Sequence, residues 1–274
     1  MASASLSPPD PEILAWDDHS LADLQQRTRS TEAASRLLRG YEPDRIPVQL
    51  QTRDYATAVL RVCQETSGRP MDERDLGQAV SARMARQADW RARGGEAHFL
   101  IGEQALYTTV GSPQVMVAQL EALQEILEEP YPIEVFIIPR GAVFVGPATN
   151  FLFYDEAKTT VETATYQITL TERAGLACYE TLFERLAAQA SSYHAGLNLV
   201  TAALGHHLRS APSDRAASSA DAAAAGIGPR QISPLDARGL PTRGRAPLCD
   251  GSAAIPAATR CPTLLTTLKT AMLP

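Results

Sequence analysis

Apolar residues recurring every three or four places predict helices, and unbroken or alternating apolar runs predict strands. The clearest helix is "SPQVMVAQLEALQEILEEP" at 112–130. Ser112 is placed to cap it, Pro113 takes its first turn, and Pro130 stops it. Met116, Leu120, Leu123 and Leu127 form its apolar stripe. Further helices are predicted over 20–39, 52–65, 72–92, 172–190 and 193–208. Asp72 caps the third of these, with Asp75 three places later in the manner of a capping box. In the helix at 172–190, Tyr179, Leu182, Phe183 and Leu186 face inward. "AHFLIG" reads as a strand, and "IEVFIIP" as one buried on both faces. "NFLFY", "TTVET" and "TYQITL" read as antiparallel neighbours. Helices, then strands, then helices indicate an α+β fold, with helices flanking a small mixed, mostly antiparallel sheet.

Two places in this pattern carry more than fold information. "RIPVQLQTRDYATAVLR" changes from a proline-containing apolar loop to a helix at Thr52. Thr52 can accept from the first turn's N–H groups, Asp54 suits the positive end of the helix dipole, and Tyr55, Val59 and Cys63 share one face. The second is the helix at 72–92. Its stripe is Leu76, Ala79, Val80 and Met84, with Trp90 at the far end, yet Arg83 and Gln87 fall in the middle of it. A buried arginine needs a carboxylate or several carbonyls. Glu103 is the first candidate partner and Glu162 the second. An internal ion pair or a snorkelling side chain is one outcome, and a polar wall of a ligand pocket or partner groove is the other.

Charge divides the chain. The net charge of the 274 residues is −6. From Arg209 onward there are eight Lys/Arg, four Asp and no Glu, a local +4, which leaves −10 on the first 208 residues. An acidic domain is not expected to grip nucleic acid by bulk charge. The segment after 208 contains no aromatic residue and is rich in Ala, Pro, Ser and Gly, a composition expected to be disordered. Residues 1–15 read as equally loose. The folded domain is therefore expected at 16–208. No apolar run is long enough to span a membrane, and "MASASLSPPDPEILAW" does not resemble a secretory signal. Cys63, Cys178, Cys249 and Cys261 form no CxxC pair and read as reduced, unligated thiols of a cytoplasmic protein.

No GxxxxGK[ST] or GxGxxG loop suggests a nucleotide, and no HExxH or GxSxG suggests a hydrolase. His206 and His207 are adjacent and cannot share a helix face as ligand pairs do. No cofactor, metal or catalytic residue is expected from these patterns.

Several stretches, taken in order, resemble one family. "IPVQLQTRDYATAVL" resembles the "VPGLLQTPEYARAVL" signature of a domain of unknown function in actinobacteria. That domain follows a DNA-binding helix-turn-helix in antitoxin-like transcriptional regulators. "VSARMARQADW" is similar to its ARxxRQ helix at Arg83, Arg86 and Gln87. "FLIGEQALYTTVGSPQVMVAQLEAL" matches at Glu103, Ala105, Leu106, Val110, Gly111, Met116, Gln119 and Leu120. "IEVFIIP", "GAVFVGPATNFLFY" and "CYETLFERLAAQA" follow in the family's order. The resemblance covers roughly residues 16–208. Pro47-Val48-Gln49-Leu50 stands where the family has Pro-Gly-Leu-Leu, so a different turn is expected before the helix. The family's DNA-binding module takes roughly 60 residues, and 15 precede the domain here. The expectation is therefore a sensor or partner-binding domain without its own DNA-binding head.

The resemblance implies regulation by binding a small partner protein, toxin-like and encoded by a neighbouring gene, or a small-molecule ligand. A homodimer is left open. Direct nucleic-acid and membrane contacts are not expected. Arg83, Arg86, Gln87, Glu103 and Gln119 are the candidate binding residues. A cofactor-free enzyme of specialised metabolism using the same pocket, and a truncated non-functional paralogue, are the alternatives.

Overall fold

The computed structural model describes residues 10–211, except 69, 71, 129–131 and 147–148. Its strands are β1 (Glu12–Ala15), β2 (Leu37–Glu42), β3 (Glu96–Gly102), β4 (Ile133–Ile138), β5 (Phe151–Tyr154), β6 (Lys158–Glu162) and β7 (Tyr166–Leu170). Its helices are α1 (Leu21–Ala34), α2 (Arg53–Thr66), α3 (Glu73–Ala92), α4 (Glu103–Tyr107), α5 (Pro113–Glu128), α6 (Arg173–Ala187) and α7 (Tyr193–Ser210). Short 3-10 turns occupy Trp16–Asp18 and Val48–Leu50.

The fold is α+β around a mixed sheet of order β1-β7-β6-β5-β2-β3-β4. Strands β2, β3 and β4 are parallel, joined by helical crossovers. The other half is an antiparallel meander, β5-β6-β7, with β1 added at its edge. Strand β2 joins the halves: Gly40 is opposite Phe99 in parallel register and Leu152 in antiparallel register.

Alternation along the strands divides the core in two. Phe99, Ile101, Val135 and Ile137 point to one face, where Met116, Leu120 and Leu123 of α5 and Val200 of α7 cover them. Leu100, Ile138, Phe151 and Phe153 point to the other face, against Phe183 and Leu186 of α6. The unbroken apolar run of β4 is explained by helices on both its faces, although it is an edge strand. Helix α1 packs on α3, and α3 on α2, so these three form a separate group beside α5 and α7.

Local signals explain most helix starts. The Thr52 hydroxyl accepts from Tyr55 N–H, and Ser112 from Val115 N–H. Gly111 precedes that second start with φ 71°, a conformation that favours glycine. Asp72 accepts from the N–H groups of Arg74 and Asp75. Asp75 itself departs from the capping-box expectation. Its carboxylate accepts from Leu21 N–H at 2.9 Å and Ala22 N–H at 3.2 Å, so it caps α1 instead. The anchor is reasonable because α1 begins directly against the start of α3 and its first turn has unsatisfied donors.

Three expected boundaries are corrected. The helix expected over 20–39 ends at Ala34, and Leu37–Glu42 is the strand at the junction of the two half-sheets. Its residues fit a helical stripe locally, but pairing on both sides with β3 and β5 decides the outcome. Asp155, in the turn after β5 with φ 53°, fixes the start of β2 by accepting from Arg36 and Leu37 N–H. The stretch expected to be loose at the N-terminus contains β1, whose Glu12 is opposite Thr169 of β7. At the other end α7 continues to Ser210, past the expected limit of 208. The rest of the expected tail, from residue 212 on, residues 1–9 and the Pro130 stop lie outside the described residues.

Candidate functional site

The α1–α2–α3 group stands over the antiparallel half of the sheet and encloses a cleft of about 1670 Å³. One wall is helical and carries Gln25 and Glu32 of α1 with Arg83 and Arg86 of α3. The facing wall includes Glu42 at the end of β2, Arg45 in the following loop and Glu162 of β6. A lining with this many ionisable groups is unlike the apolar clusters of the core.

The helical wall is built by the arginines of α3. Arg86 meets Glu32 at 2.8 Å, with 5% and 2% of the two side chains exposed. Burial pushes the Glu32 carboxyl up, against the pull of Arg86 and of a hydrogen bond from Gln49. Gln49 donates that bond at 2.8 Å. It stands at the third position of the altered Pro47–Leu50 stretch, of which Val48–Leu50 is one 3-10 turn. Arg91 donates to the Gln49 carbonyl, and Arg93 to the carbonyls of Ala33 and Glu32.

Arg83 is buried as its helical position implies, but its expected partner is corrected. Its Nε donates to Gln25 Oε1 at 3.2 Å and its Nη1 to Gln51 Oε1 at 2.7 Å. Among the described residues no carboxylate stands within ion-pair distance of it. Glu103 pairs instead with Arg140, with its Oε1 3.2 Å from the guanidinium Nε and its Oε2 accepting from the Arg140 backbone N–H at 2.9 Å. Glu103 begins α4, at the C-terminal end of β3, so chain direction carries it away from the cleft. Burial, with the positive charges of Arg86 and Arg45, pulls the Arg83 guanidinium down to about 9.

On the facing wall one cation serves two acids. Arg45 Nε donates to Glu42 at 2.9 Å, and its Nη2 donates to Glu162. Asn150 donates to the same Glu162 oxygen at 3.1 Å. Burial raises Glu42 to about 7, beyond what Arg45 offsets, and the neighbouring Glu162 adds to the rise. For Glu162 burial also pushes upward, but Arg45 and Asn150 hold its carboxyl below the ordinary value.

The structure places the five sequence candidates unequally. Arg83 and Arg86 line the cleft. Gln87 lies behind them, with its amide donating to the carbonyls of Val48 and Gln51. Gln119 is fully buried, accepting from Thr52 N–H at 2.8 Å and donating to the Leu50 carbonyl at 2.9 Å. These two glutamines position the Pro47–Thr52 junction, whose Gln51 holds Arg83. Glu103 takes no part. Reading the sequence missed Gln25, Glu32, Glu42 and Arg45. Gln25 and Glu32 carried a signal, because they lie seven places apart and therefore share a helix face.

Among the described residues, no cluster of His, Cys, Asp and Glu could hold a metal ion. No helix among them is long and apolar enough to cross a membrane. Cys63, on the cleft lining, and Cys178 are unpaired thiols.

Comparison with known proteins gives a family but no activity. No curated protein matches the chain. Among solved structures, NucT from Helicobacter pylori aligns with a TM-score of 0.38 and 8% identity, over 66% of this chain and 97% of NucT. TrmBL2, an archaeal chromatin protein, aligns with a TM-score of 0.32 and 10% identity, over 69% of this chain and 56% of its own. Both likenesses are too distant to bear on function. The model of one family, described as a domain of unknown function (DUF5753), matches residues 25–201, a span that includes Gln25, Glu32, Arg83 and Arg86 of the cleft's helical wall. The chain belongs to the DUF5753 family.

Proposed function

We propose that this domain is the sensing part of an antitoxin-like transcriptional regulator of the actinobacterial type, and that its cleft takes a small-molecule ligand. The observation that carries this reading is the cleft itself: about 1670 Å³ enclosed by three helices and the sheet, with Arg83 buried in its wall against two neutral amides. A guanidinium satisfied only by dipoles is costly in a domain that functions merely by being folded. It is useful where a bound molecule completes it. The cleft lies between packed units, α1–α2–α3 and the sheet, so occupancy can shift one against the other. A regulator needs such coupling between ligand and global state.

The test is capture of metabolites from a cell extract by the immobilised full chain, with released molecules identified by mass spectrometry. A cleft-filling variant, Thr28→Trp, serves as the comparison, since Thr28 of α1 lines the cleft. The expected result is a small molecule retained by the native chain and lost by the variant. Retention of none, or equal retention by both, overturns the reading. A retained small polypeptide would move the function from ligand sensing to partner binding.

A further inference from the structure

The charges around the cleft are unbalanced in opposite senses on its two walls. On the helical wall Arg83 is 6% exposed and its guanidinium is held by amide oxygens alone. Arg86 brings no negative charge to help, because its own partner Glu32 already neutralises it. That wall therefore carries one positive charge without a counter-charge in contact. On the facing wall Arg45 lies between Glu42 and Glu162, so one cation is divided between two carboxylates. That wall carries the opposite surplus. All six residues line the same space.

We propose that the cleft binds a zwitterionic small molecule, its carboxylate group taken by Arg83 and its ammonium group by the Glu42–Glu162 pair. The proposal rests on the ligand-binding reading above. Each end of such a molecule supplies the charge its wall lacks. The planar fork of Arg83 still has donors beyond the two given to Gln25 and Gln51, which suits a carboxylate. The two acids facing it disfavour a dianion such as a phosphate monoester, because its second charge would meet a like charge across the cleft. The shifts agree with this division: burial and then its positive neighbours pull Arg83 down, and burial and then Glu162 push Glu42 up. An ionic ligand with both charges relieves both. A ligand with one charge relieves one and leaves the other uncompensated.

The test uses the full chain and a graded series of ω-amino acids, from γ-aminobutyrate to ε-aminocaproate. The n-alkyl carboxylates and n-alkylamines of matching length are the controls, and binding is read by saturation-transfer NMR and calorimetry. The expected result is that one ω-amino acid binds about tenfold or more tighter than either matching control. In Arg83→Met, that advantage falls to the affinity of the alkylamine, whose own binding is retained. In Glu162→Gln, it falls towards that of the carboxylate. Arg83→Lys keeps the positive charge and the fold should Arg83→Met not fold, and retains weakened carboxylate binding. Equal binding of zwitterion and carboxylate overturns the cationic half. Unchanged binding in a folded Arg83→Met overturns the role of Arg83. If no probe binds while a captured metabolite does, the zwitterion proposal falls and the sensing function stands. If neither binds, both fall.

Discussion

Arg86 of α3 and Glu32 of α1 form an ion pair at 2.8 Å that is almost wholly withdrawn from water, and it fastens the two helices of the cleft wall to each other. Gln25 accepts from Arg86 at 3.0 Å and from Arg83 at 3.2 Å, so one amide of α1 bridges both arginines. Removing one member of a buried pair leaves the other charged and unsolvated, which typically costs about 3–5 kcal/mol. Arg86→Met is expected to lower unfolding free energy by about that amount in urea titration. The double variant Arg86→Met with Glu32→Gln is expected to recover part of it, because no buried charge is then abandoned. Loss in the double variant equal to the sum of the single losses would show that the two residues do not act as a pair.

Gln119 is the second residue through which distant elements meet. It lies on α5 but closes the backbone of the junction that precedes α2, accepting from Thr52 N–H and donating to the Leu50 carbonyl. Gln119→Leu fills the same volume but leaves both backbone groups buried and unpaired. Each orphaned group costs about 1–3 kcal/mol. The expected loss is about 2–6 kcal/mol by chemical denaturation, with faster hydrogen exchange at Thr52.

Asp75 is expected to act on a helix other than its own. Asp75→Ala removes the acceptor for Leu21 and Ala22 N–H and is expected to cost about 1 kcal/mol, the usual effect of losing a cap. Hydrogen exchange should quicken at the start of α1 while the start of α3, held by Asp72, stays protected. Faster exchange at the start of α3 instead would show that Asp75 serves its own helix.

What could be read in the sequence follows from which interactions are local. Helix α5 carried its cap, its first-turn proline and its stripe within 20 residues, and the structure reproduces them. The inward position of Arg83 and Gln87 followed from helical geometry alone. Strand β2 did not, because "SRLLRGYE" fits a helical stripe, and only its pairing with β3 and β5 selects the extended form. Strand β1 depends on β7, more than 150 residues away. The partner of Arg83 failed for a related reason. Charge complementarity favoured Glu103, but β3 carries that residue to the end of the sheet next to Arg140, and the chain supplies Arg83 with two amides, Gln25 from α1 and Gln51 from just after the 3-10 turn. The charged cleft was illegible as a whole, since its walls come from separate parts of the chain.

Glu42 makes stability depend on pH in a direction opposite to that of most carboxylates. In the unfolded chain it titrates near the ordinary value of 4.5, and in the folded protein near about 7. Between these values the folded state holds a proton that the unfolded state has released. By linkage, the slope of unfolding free energy with pH is then negative for this group. Its contribution is fully present below about pH 4.5, declines as pH rises, and is lost above about pH 7. Glu162, with its lowered value, contributes in the opposite sense, and Glu32, with its raised one, in the same sense, so the total curve mixes both signs. The comparison that isolates Glu42 is with Glu42→Gln, whose amide imitates the protonated acid and still offers an oxygen to Arg45. The variant is expected to match the native chain near pH 4.5 and to become progressively more stable than it through pH 8, as measured by urea denaturation at each pH. A difference that is constant across this range would show that the carboxyl titrates alike in both states, and one that grows toward low pH would show that its folded value is lowered by Arg45.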